Sequence, residues 1–311
     1  MVVVAVAGGT GKVGRTLVEA IVEAGKHDVR ILARNPNPAL EAELRVPIIT
    51  VDYSNIEALT KTLEDNNVHT VVSAIIMFPG NNEIELIRAA NASNTTKRMI
   101  SSDWGLPHTE EHIKQLDTVG PKFEAHKVLE QMTGLETTYF LNGFFMDFWG
   151  VPAVKSHMSP VVAIFDIPND VAAIPGSGNV PVVLTHTTDI AKFVAASLDL
   201  GKWDRVSYVI GDRVTWNEFL HYIEEAKGTK FNVTHDSIET LRSGKITELP
   251  GQVAAYHFFP KEAYQHMMSV FGLWFAEGVF DFHPSKTLNE LFPDIKTMKV
   301  KDMVNEAWKK S

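Results

Sequence analysis

The sequence predicts an α/β fold, in which a doubly wound parallel sheet comes first and a smaller α+β lobe follows on the carboxyl-terminal side. Up to about residue 142, short β-branched runs alternate with stretches of helical periodicity, which is typical of parallel strands joined by crossover helices. Beyond that point the alternation ends, proline and glycine cluster, and aromatic residues become frequent. We therefore expect one domain over residues 1–150 and a smaller lobe over residues 151–311, and we leave open an exchange of sheet elements across this boundary.

The individual elements follow from the same two patterns. Each expected strand is a short run rich in β-branched residues, and these runs cover residues 2–7, 29–33, 47–52, 70–76, 98–101 and 137–141. Each expected helix repeats apolar residues every three or four positions, and these stretches cover residues 12–24, 56–65, 83–91 and 122–133. In the smaller lobe, Thr188-Asp189 and Thr215 are candidate N-caps for helices over residues 190–198 and 216–225.

The composition is that of an ordinary globular protein. Of the 311 residues, 45% are hydrophobic and 22% are charged, which excludes the disordered and fibrous classes. The net charge of −9 and the lack of a basic run argue against nucleic acid as a ligand. The opening apolar run is far too short to cross a membrane, so we expect no membrane association and a cytoplasmic location. The chain has no cysteine, which excludes disulfides, thiolate zinc sites and a cysteine nucleophile.

Three glycines follow the first expected strand at the spacing GxxGxxG, namely Gly8, Gly11 and Gly14. In a dinucleotide-binding turn the first glycine permits the tight turn, the second lets the backbone approach the pyrophosphate, and the third lets helix and strand pack closely. The amino terminus of the following helix supplies oriented N–H donors. Because a strand precedes the glycines and a helix follows them, we predict a Rossmann dinucleotide site rather than a merely structural turn. The residues expected to contact the dinucleotide here are Gly8, Thr10, Gly11, Lys12, Val13 and Gly14.

The second expected strand indicates which dinucleotide binds. In NAD-binding domains an acidic residue near the end of this strand holds the ribose diol, but residues 29–40 contain no Asp or Glu, and Arg34 stands at the strand end. A guanidinium pairs with a 2′-phosphate, although an arginine that is simply exposed on the surface is the alternative. We therefore predict NADPH as the cofactor, with Asp52 close to its adenine. Further cofactor contacts are expected from Ala74, Lys122, Asn142 and Phe144.

The usual catalytic pair of the short-chain dehydrogenases is absent. None of the six tyrosines is followed four residues later by a lysine, as Tyr-x-x-x-Lys requires. Either another group supplies the proton, or the protein performs no redox chemistry.

Four segments carry a family resemblance, over residues 8–14, 32–34, 99–105 and 134–145. Through them the chain resembles the NmrA-like and isoflavone reductase-like branch of the atypical short-chain dehydrogenases, over nearly its whole length. The resemblance implies a catalytic lysine in place of the tyrosine and puts it at Lys122, with Lys127 as the second choice. The run over residues 143–149 and the Phe-Pro pair at 292–293 look more like fungal members of the family.

The sequence also departs from the plant reductases that it resembles. His126 and Lys127 stand where those enzymes tend to have paired arginines, and Asp103-Trp104-Gly105 replaces an acid, a phenylalanine and a glycine. These departures argue against a plant phenylpropanoid as the substrate.

Lys122 and His126 are the expected catalytic residues. A lysine near the nicotinamide can donate a proton to a carbonyl or imine, or hold the ribose hydroxyls. His126 lies one helical turn further on, shares the face of Lys122 and can relay a proton. The alternative is a solvated helix lysine and a histidine with a purely structural role.

One metal signature occurs in the chain. Residues 108–112 read His-Thr-Glu-Glu-His, which fits H-x-x-E-H, a spacing that holds zinc when both histidines lie on one helix. Here the motif follows Pro107 in the loop after the fifth expected strand. We therefore expect no metal, and we expect polar residues at the mouth of the site instead.

The aromatic residues bear on the substrate. Those of the smaller lobe favour a bulky, flat, apolar ligand, although each of them can equally belong to the core. The residues expected to contact the substrate are Asp103, Trp104 and Phe145.

Together these features predict an NADPH-dependent reductase of an apolar, aromatic small metabolite, with hydride transfer to a C=C, C=O or C=N bond. Two alternatives stay open: an NADPH-binding enzyme of a non-redox rearrangement, and a non-catalytic NADP(H)-sensing regulator of the NmrA type. A homodimer, and for the regulator a protein partner, also stay open.

Overall fold

The computed structural model describes residues 1–76 and 82–310. Up to residue 141, strands and helices alternate along the chain. The strands are β1 Val3–Ala7, β2 Asp28–Ala33, β3 Ile48–Thr50, β4 Val68–Ser73, β5 Arg98–Gly105 and β6 Glu136–Leu141. The helices are α1 Lys12–Ala24, α2 Pro38–Leu44, α3 Ile56–Asp65, α4 Glu83–Ala92, α5 Glu110–Gln115 and α6 Gly120–Gln131.

Beyond residue 141 the strands are shorter and the order is irregular. The strands are β7 Phe144–Phe145, β8 Phe165–Asp166, β9 Val171–Pro175, β10 Pro181–Thr185, β11 Val206–Tyr208, β12 Asp212–Thr215 and β13 Asn232–Asp236. The helices are α7 Thr187–Ser197, α8 Trp216–Lys227, α9 Ile238–Arg242, α10 Lys261–Ala276, α11 Leu288–Leu291 and α12 Val300–Trp308. Over residues 1–76 and 82–310, no helix combines the length and the apolar character that a membrane crossing requires.

The chain forms two compact units. The first contains residues 1–141, 188–209 and 286–295. The second contains residues 142–187 and 210–285 and the chain from residue 296 onward. Two segments of the first unit thus come from beyond residue 150, so its chain is not continuous.

The first unit is built on seven parallel strands in the order β11-β6-β5-β4-β1-β2-β3. The order reverses at β1, which confirms the predicted doubly wound α/β fold. All six expected strands are present, and the seventh, β11, pairs with β6 at the edge. This strand was not predicted, because a run of three residues carries no periodicity that distinguishes it from a loop.

The helix α7 corrects one expectation, since most of it belongs to the first unit and not to the smaller lobe. Its carboxyl-terminal end is bound by Arg98 of β5, whose guanidinium donates to the carbonyl oxygens of Leu198 at 3.4 Å and Leu200 at 2.7 Å. The ring of Trp203 lies against the same guanidinium, 4.7 Å from its carbon. These contacts connect residues distant in sequence, which local periodicity does not reveal.

The second unit contains two three-stranded sheets, β12-β10-β7 and β13-β9-β8. Trp149 and Trp216 are buried and lie edge to face, 5.5 Å apart. Phe219 is fully buried and 5.1 Å from Trp149. These aromatic side chains are therefore core residues. The helix α8 begins behind Thr215, which forms a capping box with Glu218, as the expected N-cap predicts.

Candidate cofactor and catalytic site

The glycine turn between β1 and α1 leaves no room for side chains. Gly8 has a φ of +73°, and a Cβ on it would lie 2.9 Å from the carbonyl oxygen of Ala74. A Cβ on Gly14 would lie only 2.2 Å from the carbonyl oxygen of Gly8. The first turn of α1 therefore packs directly on the backbone of the glycine turn, which is the close approach that a dinucleotide-binding turn requires.

A cleft of about 280 Å³ opens beside this turn. The helix α1 begins at Lys12, directly behind Gly11, so the positive end of its dipole lies at the cleft. Such an end favours an anionic group. The residues lining the cleft are Gly8, Thr10, Gly11, Ala33, Arg34, Tyr53, Ala74, Ile75, Ile76 and Asn82.

A second hollow of about 180 Å³ surrounds Arg34 and shares Thr10, Ala33 and Arg34 with the cleft. Its other lining residues are Asn35, Pro36 and Asn37, so among the described residues of this lining Arg34 carries the charge. Arg34 is exposed, and its planar donors suit a phosphate. The hollow therefore has the charge that a 2′-phosphate needs.

Asp52 was expected near the adenine, but its carboxylate binds within its own turn. It accepts hydrogen bonds from the hydroxyl of Ser54 at 2.6 Å and from the Ser54 N–H at 2.9 Å, and these bonds lower the pKa of Asp52. The next residue, Tyr53, lines the cleft in its place.

The hydroxyl of Tyr53 forms hydrogen bonds to the backbone of the glycine turn and of β2. It donates to the carbonyl oxygen of Leu32 at 2.7 Å and accepts from the N–H of Gly8 at 3.3 Å. Burial raises the pKa of Tyr53, so the hydroxyl stays protonated. The sequence patterns did not indicate Tyr53. Of the residues expected at the glycine turn, Gly8, Thr10 and Gly11 line the cleft, whereas Lys12, Val13 and Gly14 are not among its described lining residues. Lys12 is exposed and Val13 is half-buried on α1.

Lys122 and His126 meet at one carboxylate. Lys122 Nζ donates to the backbone carbonyl of Asp103 and lies 3.2 Å from its Oδ1. His126 Nε2 lies 3.0 Å from Oδ2 of the same side chain, which is fully buried. Because the two residues are one turn apart on α6, they reach the same group at the end of β5. The side chains that the helical spacing predicted to share a face are thus joined through Asp103.

Burial and neighbouring charges shift the pKa values of two residues in this cluster. Burial opposes ionisation of Asp103, but the charge of Lys122 and the His126 ring outweigh it and lower the pKa of Asp103 to about 2. Burial, aided by the charge of Lys122, lowers the pKa of His108 to about 3. At neutral pH the cluster therefore contains a carboxylate beside an ammonium group, with a neutral imidazole at position 108.

His126 is also stacked on an aromatic ring. Its centroid lies 3.9 Å from that of Tyr139, with 19° between the planes. Burial and the nearby charge of Asp103 raise the pKa of Tyr139 to about 12, so the phenol stays neutral. The stacking holds the imidazole edge against the carboxylate.

Lys127, the second choice, has different neighbours. Its Nζ lies 3.0 Å from a carboxylate oxygen of Glu124 and 4.7 Å from the ring centroid of Phe123. The side chain is half exposed. The geometry therefore favours Lys122.

Trp104 was expected to contact the substrate, but its indole lies in the interior. Its Nε1 donates to the carbonyl oxygen of Ser73 at 3.1 Å, and its ring packs 5.6 Å from that of Phe140. Trp104 has a φ of 49° where the register between β5 and β6 shifts. This irregular backbone aims the side chain inward, and a sequence pattern does not show it.

Three further expected contacts lie in the second unit. Asn142 is fully buried, and its carbonyl accepts from the hydroxyl of Thr185 at 2.7 Å. Phe144 packs edge to face with Phe275 at 5.4 Å, and the cavity beside it has about 30 Å³, too small for a metabolite. Phe145 is half-buried, 6.2 Å from the ring of Phe148. Phe144, like Phe145, is half-buried, and its ring packs against the aromatic residues of this unit.

The H-x-x-E-H motif is divided by a helix boundary. His108 precedes α5 and lies 3.9 Å from Asp103, whereas His112 lies in the helix, where its ring accepts from the N–H of Thr109 in a capping box. Within residues 1–76 and 82–310, no three His, Asp or Glu side chains are placed to hold a metal ion.

Comparisons with known proteins cover almost the whole chain. Residues 2–301 match the model of the NmrA-like family. The chain is 36% identical over 301 residues to "Oxidoreductase BOA1" of Botryotinia fuckeliana, with 95% of this chain and 96% of that protein covered. It is 31% identical over 342 residues to "Oxidoreductase swnN" of Metarhizium robertsii, with 99% and 98% covered.

A solved structure supports the fold. The complex of leucoanthocyanidin reductase with NADPH from Vitis vinifera superposes with a TM-score of 0.75 at 22% identity, and 98% of each chain is covered. The fold of the chain is therefore that of a known α/β reductase.

Proposed function

Because the chain belongs to the NmrA-like family, we propose that it is an NADPH-dependent reductase that uses Lys122 as its proton donor. The observation that carries this proposal is the pairing of Lys122 with the buried carboxylate of Asp103. Burying a charge is costly unless the charge is paired and hydrogen-bonded, and ionisable groups with strongly shifted pKa values concentrate at functional sites. The names of the two fungal relatives, both oxidoreductases, support the same reaction class.

The residues of the first unit fit NADPH. The glycine turn and the amino terminus of α1 would hold the pyrophosphate, since Cβ atoms at Gly8 and Gly14 would collide with backbone there. Arg34, the charged residue of the neighbouring hollow, would hold the 2′-phosphate. When bound, NADPH supplies a hydride.

Lys122 supplies the proton that accompanies this hydride. An ammonium group has three N–H donors, and the carbonyl and the carboxylate of Asp103 engage two of them. The third is directed to a substrate oxygen or nitrogen. His126 lies on the other carboxylate oxygen, so it is the group through which the lysine regains a proton from solvent.

The proposed substrate is an apolar, aromatic small molecule with a C=C, C=O or C=N bond. The half-buried Phe145 supports this class, whereas Trp149, Trp216 and Phe219 belong to the core. Which of these bonds is reduced can be determined by testing which acceptors the enzyme consumes.

The first experiment separates Lys122 from Lys127. Oxidation of NADPH is followed with a panel of enones, quinones, aldehydes and imines, and NADPH binding is followed by nicotinamide fluorescence. Lys122→Ala should lower turnover by about 100-fold or more, which is the usual contribution of a general acid, with little change in NADPH affinity. Lys127→Ala, on the same helix, is the matched control and should keep wild-type turnover.

Two results would contradict the proposal. Full turnover in Lys122→Ala would exclude the lysine as the proton donor. Tight NADPH binding by the wild type without oxidation by any acceptor would favour the sensing regulator.

The second experiment tests the choice of cofactor. Arg34→Ala should weaken NADPH binding by about 10-fold to 100-fold, the value of a hydrogen-bonded charge, and should leave NADH binding unchanged. Arg30→Ala is the control, because Arg30 lies on β2, which ends just before Arg34, and pairs with Asp28. Equal affinity for NADPH and NADH in the wild type would refute the role of Arg34.

A further inference from the structure

A buried carboxyl group lies between the two walls of the proposed site. Glu83, the first residue of α4, is 0% exposed and follows Asn82, which lines the cleft. Its Oε2 lies 2.5 Å from the hydroxyl of Ser73, at the end of β4. Its Oε1 accepts from the hydroxyl of Ser101 at 2.9 Å and from the N–H of Ser102 at 3.1 Å, both in β5.

These bonds occur where the backbone ladder between β4 and β5 has ended. The last paired residues of the two strands are Val72 and Ile100. The next residue of each strand is hydrogen-bonded to the Glu83 carboxyl group instead of to the opposite strand. A single side chain thus bridges the opening between the strands at the carboxyl end of the sheet.

The bridge lies between the cofactor wall and the lysine cluster. On the β4 side, Ser73 is followed by Ala74 and Ile75, which line the cleft. On the β5 side, Ser102 is followed by Asp103, which holds Lys122. A second hydrogen bond crosses beside the bridge, from the hydroxyl of Ser102 to the carbonyl of Ile75 at 2.8 Å.

We propose that Glu83 is a positioning residue that sets the distance between the cofactor-binding wall at Ala74 and the Asp103–Lys122 pair. This inference rests on the proposed function. Glu83 touches neither the cleft lining nor Lys122 in the contacts described above, so it acts through Ser73 and Ser102. The hydride and the proton must both reach the same substrate, so the distance between the cofactor-binding wall and Lys122 has to be constant.

A substitution at Glu83 preserves the bridge only if the new side chain can make the same hydrogen bonds. Burial outweighs the hydrogen bonds from Ser73 and Ser102 and raises the pKa of Glu83. Glutamine has the same shape and is neutral: its oxygen can accept from Ser101 and Ser102, and its amide can donate to Ser73. Alanine leaves buried donors of β5 without an acceptor.

The test compares Glu83→Ala and Glu83→Gln with Glu57→Ala. Glu57 is the matched control, an exposed acid in the first turn of α3. For each folded variant, NADPH titration gives the dissociation constant. Labelling of Lys122 by trinitrobenzenesulfonate, followed by peptide mass spectrometry, shows whether bound NADPH protects the amine, which requires the two to lie close together.

We expect Glu83→Ala to weaken NADPH binding about tenfold and to lose the protection of Lys122. Glu83→Gln and Glu57→Ala should both stay within about twofold of the wild type and keep the protection. A purely structural role would lower the unfolding midpoint of Glu83→Ala but change neither quantity in the folded protein. If Glu83→Ala does not fold, Ser101→Ala removes one arm of the bridge, and a reduced protection of Lys122 is expected.

The outcomes separate this inference from the proposed function. If the wild type binds NADPH and protects Lys122, and folded Glu83→Ala does the same, the positioning role is wrong and the proposed function stands. Failure of Glu83→Gln to match the wild type would contradict a bridge that depends on these hydrogen bonds alone. A wild type that does not bind NADPH would refute the proposed function itself.

Discussion

Replacing Asp103 by asparagine tests the pair on which the proposed chemistry depends. Asparagine keeps the shape of the side chain and removes its charge. The side chain of Asp103 is fully buried, and that of Lys122 is 23% exposed. The substitution therefore leaves the ammonium group without its carboxylate partner in a site that water reaches only in part.

The expected loss of stability follows from the pKa of Asp103. Lowering it from 3.8 to about 2 means that the surroundings stabilise the carboxylate by about 2 kcal/mol in the folded state. Breaking a fully buried pair commonly costs about 3 to 5 kcal/mol. Because Lys122 is partly exposed, water can compensate for part of its lost partner. We therefore expect the unfolding free energy of Asp103→Asn to fall by about 2 kcal/mol.

Urea unfolding at several pH values provides the assay. The folded-state pKa of Asp103 is lowered, so its contribution is complete above 3.8, the ordinary value, and is lost as the pH falls from there to about 2. The difference between the wild type and Asp103→Asn should be constant from pH 5 to 7, on the order of 2 kcal/mol. Asp65→Asn, which removes an exposed partner of Lys61, is the control and should change stability little.

Two results would refute this reasoning. An Asp103→Asn variant with the wild-type unfolding midpoint at pH 7 would show that the pair contributes nothing. The second refuting result is additivity in a double-mutant cycle with Lys122→Met. Additive effects on the unfolding free energy would mean that the two side chains are not coupled.

Three further predictions concern the first unit. Gly14→Ala places a methyl group 2.2 Å from the Gly8 oxygen and should cost about 3 kcal/mol in urea unfolding, whereas Gly201→Ala, with nothing within 4 Å, should cost little. Tyr53→Phe removes two hydrogen bonds to backbone and should lower stability by about 1 kcal/mol; an unchanged midpoint would contradict it. The pKa of Glu83 is raised from 4.5, so its contribution to stability is complete below that value and is lost as the pH rises above it. Glu83→Gln, which does not titrate, should therefore gain stability relative to the wild type as the pH rises above 4.5.

Local patterns predicted the regular part of the fold. The bounds expected for the first and third helices, 12–24 and 56–65, are those of α1 and α3. Both helices have a clear apolar face and begin next to a turn residue. Of the elements that were not predicted, α2, α5 and β11 are among the short ones, and so few residues do not establish a period. For β11, the pairing with β6 is also a contact between distant segments.

The candidate site was predictable only where spacing along the chain implies position. The i, i+4 spacing of Lys122 and His126 correctly put both on one face of α6, because helical geometry requires it. No comparable rule showed that the buried carboxylate of Asp103 would join them. The expected position of Trp104 after the strand over residues 98–101 differs from the structure, where Trp104 lies within β5 and its ring points inward from a backbone of positive φ.

The groups that the sequence analysis missed have one physical origin in common. Tyr53 and Glu83 both bind backbone atoms near the carboxyl ends of the strands, the carbonyl oxygen of Leu32 and the N–H of Ser102. Buried backbone polar groups must find a partner, so side chains from elsewhere in the chain supply one wherever parallel strands separate. This separation also creates the cleft. The polar groups that close the gap are therefore adjacent to the site by necessity, and a search for buried side chains bonded to strand ends should find positioning residues that no sequence motif indicates.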